Sequence, residues 1–170
     1  MKQRIIASTL AVAATLASIP SEAAPVYRQA RDAAPRVNIY QQAYAYAGID
    51  MLNWSDGTDS GTATRFTFGQ RFEEFVSAEA QFALGGGNHN YTMGVYAKGA
   101  LPLGRLQMKG LLGFAASQYN ETTNYTSLSY GVGAELTVWR DWYANADFMK
   151  YVAKSSADIG GISIGIGTRF

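Results

Sequence analysis

The chain ends in "ISIGIGTRF", residues 162–170. Successive side chains of a strand point to opposite sides. Ile162, Ile164, Ile166, Thr168 and Phe170 therefore share one face, and Gly161, Ser163, Gly165, Gly167 and Arg169 share the other. The first face is apolar and finishes in an aromatic; the second is nearly bare. A sheet with one wet face normally fills that face with long polar side chains. Glycine, serine and isolated charge suit a strand whose second face is short of room, as in a narrow closed barrel with lipid outside.

The same division recurs upstream. Eight segments read as strands, at about 44–54, 62–72, 75–84, 91–101, 105–118, 128–139, 142–152 and 160–170. Ala47, Ile49 and Met51 oppose Gly48 and Asp50; Phe66, Phe68 and Phe72 oppose Arg65, Thr67, Gly69 and Arg71. Val76, Ala78, Ala80 and Phe82 oppose Ser77, Glu79 and Gln81, and Met93, Val95 and Ala97 oppose Gly94, Tyr96 and Lys98. Leu106, Met108, Leu112 and Phe114 oppose Gln107, Lys109, Gly113 and Ser117. Tyr130, Val132, Ala134, Leu136 and Val138 oppose Ser129, Gly131, Gly133, Glu135 and Thr137. Ala144, Ala146 and Phe148 oppose Asn145, Asp147 and Tyr151. Connections alternate between long and short: "SDGTDSG", "GGGNHN", "QYNETTNYTS" and "AKSSAD" are long, while Glu73-Glu74, "PLG" and Arg140-Asp141 are tight. The pattern predicts an all-β, eight-stranded antiparallel up-and-down transmembrane barrel, with short periplasmic turns and long external loops.

An eight-stranded barrel is just wide enough for side chains to fill it. The inward faces carry Arg65, Arg71, Lys98, Lys109 and Arg169 against Asp50, Glu79, Glu135 and Asp147, five cations against four anions. Buried charge is tolerable only when paired and hydrogen-bonded. A zipped polar core without a through-pore is expected. Phe72, Phe75, Trp139, Trp142, Tyr143 and Phe170 sit beside the short turns, and Trp54, Tyr91, Tyr119 and Tyr130 near the long loops. Two aromatic belts at two interfaces are expected.

The N-terminus reads differently. Lys2 and Arg4 precede an apolar stretch, Ile5 to Ile19, and Ser21-Glu22-Ala23 offers a small–x–small cleavage site. That is a secretory signal peptide at 1–23. A periplasmic extension follows at 24–43, with a weak helix around 27–34, and the barrel occupies 44–170. The whole is 170 residues, one domain in length, with no cysteine and a formal net charge of +1. That charge gives no sign of a nucleic-acid partner. No apolar run after the signal peptide reaches the length of a spanning helix.

"YAKGALPLGRLQMKGLLGFAAS", "SLSYGVGAEL" and the terminal "GIGTRF" resemble the small outer-membrane β-barrel family of Gram-negative bacteria, the OmpA-type and OmpX-like eight-stranded proteins. The resemblance spans about residues 44–170. It implies residence in the outer membrane, contact with its lipid and lipopolysaccharide, and handling by the outer-membrane assembly machinery. It also implies that Phe170, with Thr168, Ile166 and Ile164, forms the terminal signal which that machinery reads; "FGQRF" at 68–72 has a similar ending.

No catalytic, cofactor or metal site is expected. His89 stands alone in a loop, without the serine and carboxylate that a lipid A deacylase of this fold would need, although Ser127 and Ser129 are candidates for a partner. "DGTDSG" lacks the third acidic ligand and distal glutamate of a calcium loop. Gly131/Gly133 and Gly165/Gly167 do not lead into a phosphate-cradling helix. The triplets at Asn53, Asn90, Asn120 and Asn124 lose their glycosylation meaning in a bacterium. "YNETTNYTS" has a composition suited to adaptable polar contact. With no segment after Phe170, a cell-wall tether is not expected. The expected role is non-catalytic: outer-membrane integrity, with surface interaction or adhesion through loops at 55–61, 85–90, 119–127 and 153–159. The alternatives are a narrow ion or small-solute channel, a lipid A-modifying enzyme and a soluble lipocalin-like binder.

Overall fold

The computed structural model describes residues 43–85, 89–119, 123–154 and 157–170. The expected signal peptide and nearly all of the expected extension lie outside them. The described residues form eight strands: β1 (Tyr44–Ser55), β2 (Ser60–Arg71), β3 (Val76–Gly85), β4 (His89–Leu103), β5 (Leu106–Tyr119), β6 (Thr123–Trp139), β7 (Trp142–Lys154) and β8 (Ala157–Arg169). Each pairs antiparallel with its sequence neighbour, and β1 pairs with β8, so the sheet closes on itself. Closure leaves no unpaired sheet edge, which is the condition for strands to cross lipid. The last link is the backbone pair between Ala45 and Phe170, at 3.0 and 2.9 Å.

The apolar faces point outward. Ile49, Phe68, Leu112, Phe114, Val132, Phe148, Ile162, Ile164 and Ile166 are all exposed, while Asp50, Arg65, Glu79, Lys109 and Glu135 are buried. This inverts the soluble pattern. The outward side chains meet lipid, and the inward ones fill the barrel.

The β2–β3 connection spans four residues, 72–75, two more than the expected Glu73-Glu74, and the other two tight turns are shorter. Gly104-Arg105 and Arg140-Asp141 are two-residue connections, and both hold a residue at positive φ, Gly104 at 71° and Arg140 at 45°. Such turns match the twist of paired strands. The loop ends differ from expectation. The stretch 119–127 reads as the longest loop, yet β6 already begins at Thr123 and Tyr119 pairs with it. Polar residue types at both parities hide the alternation in the sequence, although backbone pairing continues and Tyr125 and Ser127 still face inward. A register shift between Lys150 and Val152 places Tyr151 and Val152 both inside, at 1% and 0% exposure. A bulge re-aims side chains in this way.

Candidate functional site: a filled lumen

Three tiers of side chains fill the barrel. Nearest the turns, Tyr44, Tyr46 and Tyr143 form a cluster of edge-to-face rings with centroids 6.1 and 6.5 Å apart. Cations lie on their faces: Lys98 Nζ is 4.3 Å from the Tyr46 centroid, and the Arg169 guanidinium is 4.7 Å from that of Tyr143. Arg71 donates to Tyr44 OH at 3.1 Å, to Gln107 Oε1 at 2.8 Å and to the Glu73 carbonyl at 3.0 Å.

The middle tier is a continuous ion-pair chain. Arg65 Nε donates to Asp50 Oδ2 at 2.8 Å, and Arg65 Nη2 reaches Asp147 Oδ2 at 2.5 Å. Lys109 Nζ joins Asp147 Oδ1 at 2.9 Å to Glu135 Oε1 at 3.3 Å. Lys98 Nζ joins Glu135 Oε1 at 2.5 Å to Glu79 Oε2 at 3.4 Å, and Arg169 Nη2 lies 3.4 Å from Glu135 Oε2. The chain holds four cations (Arg65, Lys98, Lys109, Arg169) and four anions (Asp50, Glu79, Glu135, Asp147), so it is neutral. Every one of the nine sequence-selected charges, Arg71 included, is at most 6% exposed.

Neutral donors serve the spare carboxylate lone pairs. Asn145 Nδ2 donates to Asp50 Oδ1 at 2.8 Å, Tyr46 OH to Glu79 Oε2 at 2.9 Å and Gln81 Nε2 to Glu79 Oε1 at 2.8 Å. Such satisfaction makes a buried ion network tenable. Sequence reasoning did not assign Tyr46 or Gln107 to this network. Their parity with Asp50 on β1 and Lys109 on β5 is the signal that would have found them.

Glycines make the room. A Cβ on Gly133 would meet the Asp147 carboxylate, and one on Gly165 the Asp50 carboxylate; on Gly69 it would meet the Tyr46 ring, and on Gly167 the Tyr143 ring. In each case the intruding side chain belongs to the residue directly across the ladder. Asp147, Asp50, Tyr46 and Tyr143 thus each lean over a bare partner.

The loop-end tier is apolar. Leu52, Trp54, Ala63, Ala83, Leu111, Ala115, Met149, Tyr151, Val152 and Ile159 pack together inside, with Tyr125 against them. Arg65 Nη1 donates to Tyr151 OH at 3.4 Å, which joins this tier to the ion chain. Two belt assignments are corrected here. Trp54 and Tyr143 are each 3% exposed and face the lumen. Each shares parity with inward residues of its own strand, and that outweighs the general preference of aromatics for interfaces. Phe72, Phe75, Trp139, Trp142 and Phe170 are 44–64% exposed at the turn end, and Tyr130 is 49% exposed toward the loops.

The other sequence candidates have structural partners. Ser127 and Ser129 are buried in the wall, and Ser129 Oγ donates to the Lys150 carbonyl at 2.8 Å. Asp56 Oδ1 accepts from the N–H groups of Thr58 and Asp59 at 2.9 and 2.7 Å, so it braces its own turn. The side chain of His89 lies outside the described residues.

Comparison with known proteins agrees with this architecture. The family model for the outer membrane protein β-barrel domain matches residues 9–170. No curated protein matches the chain. Among solved structures, the chain is similar to the attachment invasion locus protein Ail of Yersinia pestis, in complex with the heparin analogue sucrose octasulfate. The TM-score is 0.56 at 15% identity, covering 75% of this chain and 97% of that one. It is likewise similar to the N-terminal β-barrel domain of Pseudomonas aeruginosa OprF, with TM-score 0.58 at 12% identity, covering 76% of this chain and 100% of that one. The chain belongs to the outer membrane protein β-barrel family, and the outer membrane is its location.

Proposed function

We propose that this protein is a sealed, non-catalytic barrel that contributes to the integrity of the outer membrane. One observation carries the reading: the lumen is closed twice, by a neutral ion chain across its middle and by an apolar plug toward the loops. A conducting path would have to part both. The reading also takes the turn end, where β1 begins and β8 ends, as periplasmic, and the signal peptide as removed. Ile164, Ile166, Thr168 and Phe170 then present the terminal strand to the assembly machinery.

Planar-bilayer recording of the refolded barrel tests the seal, and silence is expected. Discrete openings that change on Glu135→Gln would make the narrow channel the better reading. Deleting Phe170 tests the terminal strand. The amount of barrel reaching the outer membrane should fall sharply, while unfolding in detergent changes little, and normal outer-membrane levels would dismiss the signal.

A second reading is surface attachment through the loops. One observation favours it: the β1–β2 loop is held in one shape by Asp56, with Ser55 Oγ accepting from the Gly57 N–H at 3.2 Å. The loop carries Asp56 and Asp59 and no cation, so a cationic partner suits it better than a sulfated glycan of the kind bound by the Yersinia protein.

A further inference from the structure

The turn half of the outward belt is apolar with two exceptions among the described residues, Gln70 on β2 and Thr168 on β8. Gln70 shares its face with Phe68 and Phe72, and Thr168 shares its face with Ile166 and Phe170, all four exposed. The two strands flank β1. Between them β1 turns only Ala45 and Ala47 outward; Gln70 pairs with Ala45, and Thr168 with Ala47. The two polar groups therefore rim a shallow trough with an alanine floor. Phe72 and Phe170 close it toward the turns, and Ile49 closes it toward the membrane middle.

Gln70 and Thr168 stand at one height. A row of paired residues that leaves β1 at Ala45 through Gln70 comes back to β1 at Ser55 through Gly160, ten residues nearer the loops. At about 3.3 Å per residue on strands tilted about 40°, a row thus climbs roughly 3 Å per strand in the direction β8 to β1 to β2. Phe68 lies in the row of Thr168, roughly 6 Å above it, and Gln70 lies two residues, roughly 5 Å, below Phe68. The two side chains are level to within about 1 Å, on opposite sides of β1. Neither is fully paired. Gln70 Nε2 donates to the Arg71 carbonyl at 3.2 Å, which leaves its second N–H and Oε1 without a partner among the described residues. Thr168 Oγ1 has none there either. A hydrogen bond left unmade in hydrocarbon is costly.

We propose that this trough is the contact surface for a second copy of the chain, in a symmetric dimer within the membrane. Its occupant has to bring a hydrogen-bonding group opposite each rim and small side chains between them, all at one height and without charge. The trough itself has those features. A two-fold axis along the membrane normal sets Thr168 of the second copy against Gln70, Gln70 of the second copy against Thr168, and alanine against alanine. An amide and a hydroxyl can each donate and accept, so both crossings are satisfied. Small side chains let two backbones approach within a membrane, and polar side chains then join across them. The dimer goes beyond the sealed barrel proposed above: each lumen stays closed, and the two copies meet only by their outer walls.

The chain has no cysteine, so single cysteines report on one site each. Barrels are refolded into phosphatidylcholine vesicles without assembly machinery, which keeps the proposed role of Thr168 in assembly out of the result. Folding of every variant is confirmed by a heat-modifiable band on cold against boiled SDS gels. Ala47→Cys, on the trough floor, should form disulfide-linked dimers under mild oxidation, and Leu112→Cys, on the far wall, should not. In density-matched micelles, sedimentation equilibrium should show Gln70→Leu and Thr168→Val each weakening self-association by about tenfold or more. The double variant should be no weaker than either single, because the two groups are each other's partners. Equal linking at the two cysteine sites, or a wild type that stays monomeric, overturns the dimer. Losses that add in the double variant overturn the pairing of Gln70 with Thr168.

Discussion

The two halves of the lumen are filled by opposite means. Toward the turns, Glu135 alone gathers Lys98, Lys109 and Arg169 from three other strands. Toward the loops, Leu52, Leu111, Met149, Val152 and Ile159 meet with no ion among them. Ion pairs are directional, and leaving one member unpaired is costly, so the turn half specifies which strands face each other. Apolar packing is undirected, and its driving force is escape from water. The outer surface of this barrel lies in lipid. Burial from water during closure therefore acts chiefly inside, and the loop half is where the chain concentrates it.

The sharpest way to break this comparison is to remove the hub. Glu135→Leu leaves three cations short of their shared anion and should destabilise the barrel by about 3–5 kcal/mol, read as a lower urea midpoint for unfolding from vesicles. Stability within about 1 kcal/mol of the wild type would mean that the turn half is held by its tyrosines alone. Next comes the apolar half. Met149→Ala should cost about 2–3 kcal/mol, toward the low end for large-to-small changes, because a flexible thioether leaves a space its neighbours can partly refill. A loss larger than that of Glu135→Leu would reverse the ranking of the two halves. The smallest effects separate inside from outside. Gly133→Ala drives a methyl into Asp147 and the Ala146 carbonyl and should cost about 1–3 kcal/mol. Gly99→Ala, on the outer face with nothing within 4 Å, should be neutral or stabilising by up to about 1 kcal/mol. Equal thermal shifts for the two alanine variants would remove the argument that lumenal glycines are there for room.

Much of this was legible in the chain itself, because a period of two is visible wherever one face must be apolar. Val132 and Glu135, or Ile164 and Arg169, declare their sides without a structure. The upper end of β6 was not legible: Thr123 to Ser127 belong to it, but polar residue types stand at both parities there, so the sequence shows no contrast. Trp54 and Tyr143 were misplaced because residue type was weighed above parity. The apolar plug was missed for a related reason. A lumen expected to be polar throughout gave no cue to place Leu111 or Val152 inside, and Val152 enters only through a bulge that shifts the count.

The pairing of Tyr46, Asp50, Tyr143 and Asp147 with a glycine across the ladder has a bearing on how such a chain can drift. What is constrained is the sum over a rung, not the letter at either end. Exchanging Gly133 with Asp147, or Gly167 with Tyr143, would keep the filling of that rung while moving a charge or a ring by one strand around the circumference. The interior can be rewired by transpositions that keep its volume, as a keyboard is re-lettered without changing its keys. A lineage of such barrels can then lose nearly all resemblance in sequence while every cross-section stays full.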